Sequence, residues 1–336
     1  MATGNPHSFL RVNRAELELD AGVDPHSPAV YERGRDNLRG MIRDGVLIRD
    51  TEPCLYVYAL TRDGRTQTGL ATLTSVDEYD RGLIKKHEHT RPDKVEDRAA
   101  HILTLDAQVG PVFSTYRSTD ATRAAFAAVV TGTPTVDFVA DDGVRHVFWV
   151  VGGASEIAAF QRSFGELPCF YIADGHHRSE AASVVRDRRR RDNPSHGGTE
   201  PYDFFLNVLF PDDELTILPY NRVIRDLKGV SLDALLAAAS DSFHVEPSSS
   251  VVAPTEAGVG MLPVSLSLSP SLHPVSTSIN TPRTASIRWN ACIFLPPYHG
   301  TVGKNQLSGR RHLVWYFDLN SGSEDGCCKP IRTRVW

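Results

Sequence analysis

Two periodicities alternate along the first two thirds of the chain. Leu55-Tyr56-Val57-Tyr58-Ala59-Leu60 reads as a strand bounded by Pro53 and the Asp63-Gly64 turn, and residues 66–76 follow as its hairpin partner. Residues 135–140 and 144–151 predict a second hairpin across Asp141-Asp142-Gly143. Further strands are expected at 112–116, 170–173, 204–210 and 215–218. Apolar positions at helical spacing predict helices over 27–44, 93–108, 121–130, 154–164 and 232–240, with Gly110-Pro111 stopping the second. Hairpins interleaved with helices predict a mixed α/β domain, not a regular parallel array.

The pattern fails after residue 247. Residues 248–286 are rich in Ser, Thr and Pro (Pro254, Pro263, Pro270, Pro274, Pro282), hold no sustained period and offer little to bury. Beyond them Trp289, Trp315 and Trp336 stand without an amphipathic element to organise them. The reading is a domain over 1–247 and a low-complexity tail over 248–336, either disordered or translated in a shifted frame.

Composition narrows the class. Of 336 residues 41% are hydrophobic and 23% charged, the balance of a globular protein. A net charge of -5 argues against a dedicated nucleic-acid surface. The basic run Arg186, Arg188 to Arg191 closes a predicted helix, where positive charge suits the dipole, and reads as a solvated helix end. Five cysteines, with no CxxC spacing, predict neither a zinc site nor a disulfide framework. The polar start and the lack of an 18-residue apolar run predict no secretory signal and no membrane span, so a reducing, cytoplasmic setting is expected.

One stretch points towards chemistry: Phe170-Tyr171-Ile172-Ala173-Asp174-Gly175-His176-His177-Arg178-Ser179-Glu180. A strand runs into a glycine turn, and from Ser179 the pattern is helical. First-turn N–H groups have no intrahelical partner, so strand, turn and helix start together make a socket for an anion. Gly175 lets a phosphate approach the backbone. Arg178 offers a planar fork for phosphate oxygens. Asp174 either holds Mg²⁺ with substrate phosphates or caps the helix. His176 and His177 are adjacent and point apart in a first turn, so one of them at most faces a reacting group. A second ionisable cluster, Lys85-Lys86-His87-Glu88-His89-Thr90-Arg91, precedes a predicted helix. No Walker A, GxGxxG, HExxH or GxSxG pattern is present.

Several segments in order resemble the family catalogued as domain of unknown function 1015. They are Asn5-Pro6-His7-Ser8-Phe9-Leu10-Arg11-Val12, Gly82 to Thr90, Asp93 to Arg98, Gly110-Pro111-Val112-Phe113-Ser114-Thr115-Tyr116, Ala173 to Arg178, and Leu218-Pro219-Tyr220-Asn221-Arg222-Val223-Ile224. This resemblance covers residues 4–247. More distantly, the Asp-Gly-His-His-Arg turn is similar to the nucleotide-handling turn of the ParB and sulfiredoxin superfamily, which includes free-serine kinases. That likeness implies a ParB/sulfiredoxin-like nucleotide site within the mixed-sheet domain, binding a nucleoside di- or triphosphate with Mg²⁺ at Asp174. The implied activity is phosphoryl transfer to a small hydroxyl compound, a free amino acid such as serine being the most concrete substrate. Glu88 is the expected base, with His176 or His177 as proton shuttle and Gly175, Arg178, Lys86, Arg98 and Arg222 on the phosphates. The alternatives are a non-catalytic nucleotide sensor and a metal-dependent hydrolase using Asp174, His176 and His177. Contiguous ligands on one turn chelate poorly without a distant partner, which weakens the hydrolase reading.

Overall fold

The computed structural model describes residues 4–50, 52–216 and 226–241, with the strand backbones His244–Ser248, Gly258–Met261, Ser276–Asn280, Trp315–Asp318 and Ile331–Thr333. The fold is mixed α/β. Its principal sheet has eight strands: β1 (Leu55–Arg62), β2 (Arg65–Ser75), β3 (Ile84–Lys85), β4 (Val112–Tyr116), β5 (Val136–Val139), β6 (Arg145–Val151), β7 (Phe170–Asp174) and β8 (Phe204–Pro211). They lie in the order β3-β7-β4-β8-β2-β1-β6-β5. The pairs β4/β8 and β3/β7 run parallel and the others antiparallel.

Local chemistry explains these elements. Asp63 and Gly64 take φ of 52° and 74°, the pair of left-handed residues that a two-residue hairpin following the strand twist requires. From Phe205 to Pro211 every position of β8 is buried, as befits a strand flanked on both sides and covered on both faces. Among the described residues six α-helices longer than the single turn Leu10–Asn13 accompany the sheet: α1 (Pro28–Arg43), α2 (Val76–Asp80), α3 (Pro92–Leu105), α4 (Asp120–Val130), α5 (Ala154–Gly165) and α6 (His176–Asp192). Proline opens α1 and α3, where a missing N–H costs no hydrogen bond.

Packing fixes α6. Val95, Ala99 and Ile102 of α3 meet Ala181 and Val185 of α6 and Leu206 of β8 in one apolar cluster. A second cluster joins Val76, Tyr79, Ile84, Val112, Ile172, Ala182 and Phe205, tying α2, β3, β4 and β7 to the start of α6. Helices α4 and α5 place Phe126 and Phe160 against Val57, Leu70, Tyr116 and Leu209 of the sheet.

Four expectations are changed. The helix expected over 93–108 ends at Leu105, where Asp106 takes φ of 58°, and Ala107–Gln108 form a strand. The helix read from Ser179 begins at His176, because a polar first turn carries no apolar period to announce it. Leu215 and Thr216 lie in no strand, and residues 217–218 are outside the described residues. The basic run is not a solvated end. Arg186, 7% exposed, pairs with Asp77 at 2.7 Å, Asp80 at 2.6 Å and Asp187 at 2.7 Å. Arg188 meets Glu96 at 2.6 Å, Arg189 meets Asp106 at 2.5 Å and Arg190 meets the buried Asp203 at 2.7 Å.

The chain divides into two units, Met1–Leu215 with Pro296–Trp336, and Thr216–Leu295. In the first, Leu47–Arg49 pairs with Ile331–Thr333, which pairs with Trp315–Asp318, which in turn pairs with Ala107–Gln108. In the second are α7 (Leu232–Ser240), capped by Ser231 Oγ accepting the Ala234 N–H at 3.1 Å, and an antiparallel sheet of His244–Ser248, Ser276–Asn280 and Gly258–Met261. Apart from these strand backbones, the segment 248–336 lies outside the described residues.

Candidate functional site

Strand β7 delivers the turn. Its register against β4 shifts between Phe113 and Ser114, a bulge next to Asp174 that re-aims the strand end. Gly175 then takes φ of 101°, and a Cβ there would sit 3.0 Å from Arg178 Nε and 3.2 Å from Val112 Cα. Both the left-handed backbone and the crowding demand glycine. The Arg178 N–H donates to the Gly175 carbonyl at 2.8 Å, closing the first turn of α6. The Arg178 guanidinium folds back over the turn and forms an ion pair with the Asp174 carboxylate. Burial lowers the Arg178 pKa, the Asp174 carboxylate opposes that, and the charge of Arg98 adds to the lowering.

The two ionisable clusters of the sequence meet at His176. This side chain is 2% exposed, and its Nδ1 lies 3.3 Å from Glu88 Oε2. Its Nε2 accepts the His87 backbone N–H at 3.5 Å, and the His87 ring stands edge-on with centroids 4.4 Å apart. Burial pushes the His176 pKa down to about 4, aided by the surrounding His87, His177, Lys86 and Arg178. The ring is therefore neutral at pH 7, with Nδ1 carrying the proton towards Glu88. His177 points elsewhere, and its Nε2 accepts the Arg91 N–H at 3.2 Å. Adjacent histidines thus diverge, one to the carboxylate and one to the loop backbone. Together they fasten the segment between β3 and α3 to the start of α6.

Lys86 is turned to another partner. Its Nζ lies 3.0 Å from Glu180 Oε2, 3.2 Å from the Tyr79 hydroxyl and 4.7 Å from the Tyr79 ring centroid. Burial alone would lower the Lys86 pKa, but Glu180 and Tyr79 raise it, so the ammonium is held charged. The Tyr79 hydroxyl also donates to Glu180 at 2.6 Å. Arg98 stands 3.9 Å from Asp97. Arg222 lies outside the described residues. Of the sequence-predicted set, Glu88 and His176 come into contact beside Gly175, Arg178 and Asp174, whereas Lys86 serves a Glu180–Tyr79 group that the sequence did not connect to it. His87 and Tyr79 were missed. The only signal for His87 was its place in the Lys-Lys-His-Glu-His run, and for Tyr79 there was none.

The order of these segments along the chain is that of a catalogued family. The family model described as "Protein of unknown function (DUF1015)" matches residues 1–280. The chain belongs to the DUF1015 family. The match to DUF1015 takes in the whole eight-stranded sheet, the Asp174 to Arg178 turn and the Glu88 segment, and it runs past Pro247, where the likeness read from the sequence ends. No curated protein and no solved structure matches this DUF1015 chain. Among the described residues no helix is long and apolar enough to cross a membrane.

Proposed function

We propose that this DUF1015 protein binds a nucleoside di- or triphosphate at the start of α6 and transfers its terminal phosphoryl group to a small hydroxyl compound, with a free amino acid such as serine as the leading acceptor. The observation that carries this reading is the contact between Glu88 and the buried His176, which brings a base to the turn holding Gly175 and Arg178. A neutral imidazole faces the carboxylate at 3.3 Å, and a half-exposed carboxylate can still receive a substrate proton. The likeness of the turn to ParB and sulfiredoxin proteins supports the same assignment.

In this reading Arg178 binds phosphate oxygens. The Asp174 carboxylate engages its guanidinium now, where an incoming phosphate would later compete for it. Asp174, 56% exposed, is then free to hold Mg²⁺ together with those phosphates. Glu88 takes the proton of the acceptor hydroxyl. The new bond forms between that oxygen and the terminal phosphorus, the bond from phosphorus to the bridging oxygen breaks, and the shortened nucleotide leaves with the electron pair. Cations on the equatorial oxygens and an aligned nucleophile are the main requirements.

The test is a screen of small hydroxyl compounds, serine first, for nucleotide-dependent formation of a phosphorylated product. Glu88→Gln is expected to retain nucleotide binding and to lose about 10²–10⁴-fold in rate, the usual range for a general base. Binding without phosphorylation of any acceptor would instead make the protein a nucleotide sensor.

A further inference from the structure

We propose that His87, Glu88 and His176 form a three-ligand site for a zinc-class divalent ion. One potential donor atom from each lies within 4.8 Å of the other two. The residues come from two segments that the fold joins, the loop after β3 and the start of α6, so the distant ligand that a contiguous turn lacks is supplied. Two imidazoles and one carboxylate, with a fourth position open to solvent, are the donor set of catalytic zinc sites.

The spacing favours an ion over a plain hydrogen bond. A tetrahedral ion with bonds of about 2.0–2.1 Å separates its ligand atoms by about 3.3–3.4 Å. His176 Nδ1 and Glu88 Oε2 are 3.3 Å apart, which is that edge, whereas a charge-assisted N–H···O bond prefers about 2.7–2.9 Å. For Nδ1 to bind the ion, the neutral ring moves its proton to Nε2 and gives up the long 3.5 Å bond from His87 N–H. The His87 ring stands edge-on to His176, and one of its nitrogens lies within 4.8 Å of the other two donor atoms.

A second His/carboxylate group, His196, Glu200 and Asp203, is equally compact, but its oxygens are already used. Glu200 accepts N–H groups from Gly197, Gly198 and Thr199, and Asp203 accepts from Arg190 and from the Glu200 backbone. That group is a loop clasp. At the first site Glu88 is 49% exposed, open to an arriving ion.

The inference stands apart from the phosphotransferase reading and constrains it, since Glu88 bound to an ion cannot also be a base. Zinc would therefore inhibit transfer at this site while leaving phosphate binding by Arg178 in place. The experiment is a titration of the full chain with Co²⁺ alone, without nucleotide, followed by visible absorption and by competition with Zn²⁺. One equivalent with the intense absorption of a four-coordinate ion is expected. His87→Ala and Glu88→Gln, both on the loop, should each weaken binding by about 100-fold or more while keeping the unfolding temperature, and His196→Ala should change nothing. A weak six-coordinate spectrum, or binding indifferent to His87→Ala and Glu88→Gln, overturns the assignment. Loss of binding in His196→Ala alone would move the site to the second group and overturn it as well. Neither result would bear on nucleotide binding, which is read separately.

Discussion

At its C-terminal end α6 presents Arg186, Arg188, Arg189 and Arg190, and each meets a carboxylate, most of them from elsewhere in the chain. At its N-terminal end the same helix presents His176, His177 and Arg178 beside Asp174 and Glu88, and there Arg178 pairs within its own turn, with Asp174, while Glu88 faces a neutral imidazole. Both ends are dense in charge. The C-terminal charges close on one another around the buried Arg186 and Asp203, so they hold α6 to α2, α3 and the segment leading into β8. The N-terminal charges surround the glycine turn, over which the Arg178 guanidinium folds back. Charge density alone does not distinguish the two ends; the element that each ion-pair partner comes from does.

Removing the centre of the clamp should have the largest effect on stability. Arg186→Met leaves Asp77, Asp80 and Asp187 facing one another and is expected to cost about 2–3 kcal/mol. That is below the 3–5 of a fully buried pair, since these carboxylates are partly exposed. Denaturant unfolding measures it, and nucleotide binding should be unchanged. If Arg186→Met abolished binding without loss of stability, the assignment of the two ends would be reversed.

Gly175→Ala tests the other end. It forces a side chain into left-handed backbone against Val112 and Arg178, at an expected cost of about 2 kcal/mol. Unlike Arg186→Met, it should also weaken nucleotide binding, because the added Cβ would displace the Arg178 guanidinium, whose Nε lies 3.0 Å from it. Equal binding by isothermal calorimetry would remove the turn from the site.

Acid should act on the two ends in sequence. In the metal-free protein His176 accepts a proton only near pH 4, while the unfolded chain accepts it near the ordinary imidazole value of about 6.5. Its contribution is complete above about 6.5 and falls by at most about 1.4 kcal/mol per pH unit between there and 4. At the clamp, Arg190 holds the Asp77 carboxyl below its usual range and Arg188 does the same for Glu96. Their contribution is intact above the ordinary carboxylate range and is lost only as pH falls below it. Thermal unfolding across pH should show the first loss disappear in His176→Asn and the second persist.

Much of the fold was legible because its signals are local. The Asp63-Gly64 and Asp142-Gly143 turns announced both hairpins, and periodic apolar residues announced α1, α3, α4 and α5. The clamp was misread because its acceptors, Asp77, Asp80, Glu96, Asp106 and Asp203, are scattered through the chain and nothing local pairs them with the arginines. The site was half legible. Asp174-Gly175 and the residues after it marked a strand-to-helix turn at a glycine, and the Lys85 to Arg91 run marked a second charged loop. Their meeting rests on β3 pairing beside β7, a long-range register that no local pattern carries.

The central claim is that the start of α6, and not its end, holds nucleotide phosphate. Its most direct test is the shift in unfolding temperature produced by millimolar nucleotide with Mg²⁺, compared across wild type, Arg178→Ala and Arg188→Ala. Wild type and Arg188→Ala should gain the same shift, following RT ln(1 + [L]/Kd), and the Arg188–Glu96 surface pair should itself contribute no more than about 1 kcal/mol. Arg178→Ala should remain folded and lose most of the shift. No shift in wild type with any nucleoside di- or triphosphate, or an equal shift in Arg178→Ala, would contradict the account.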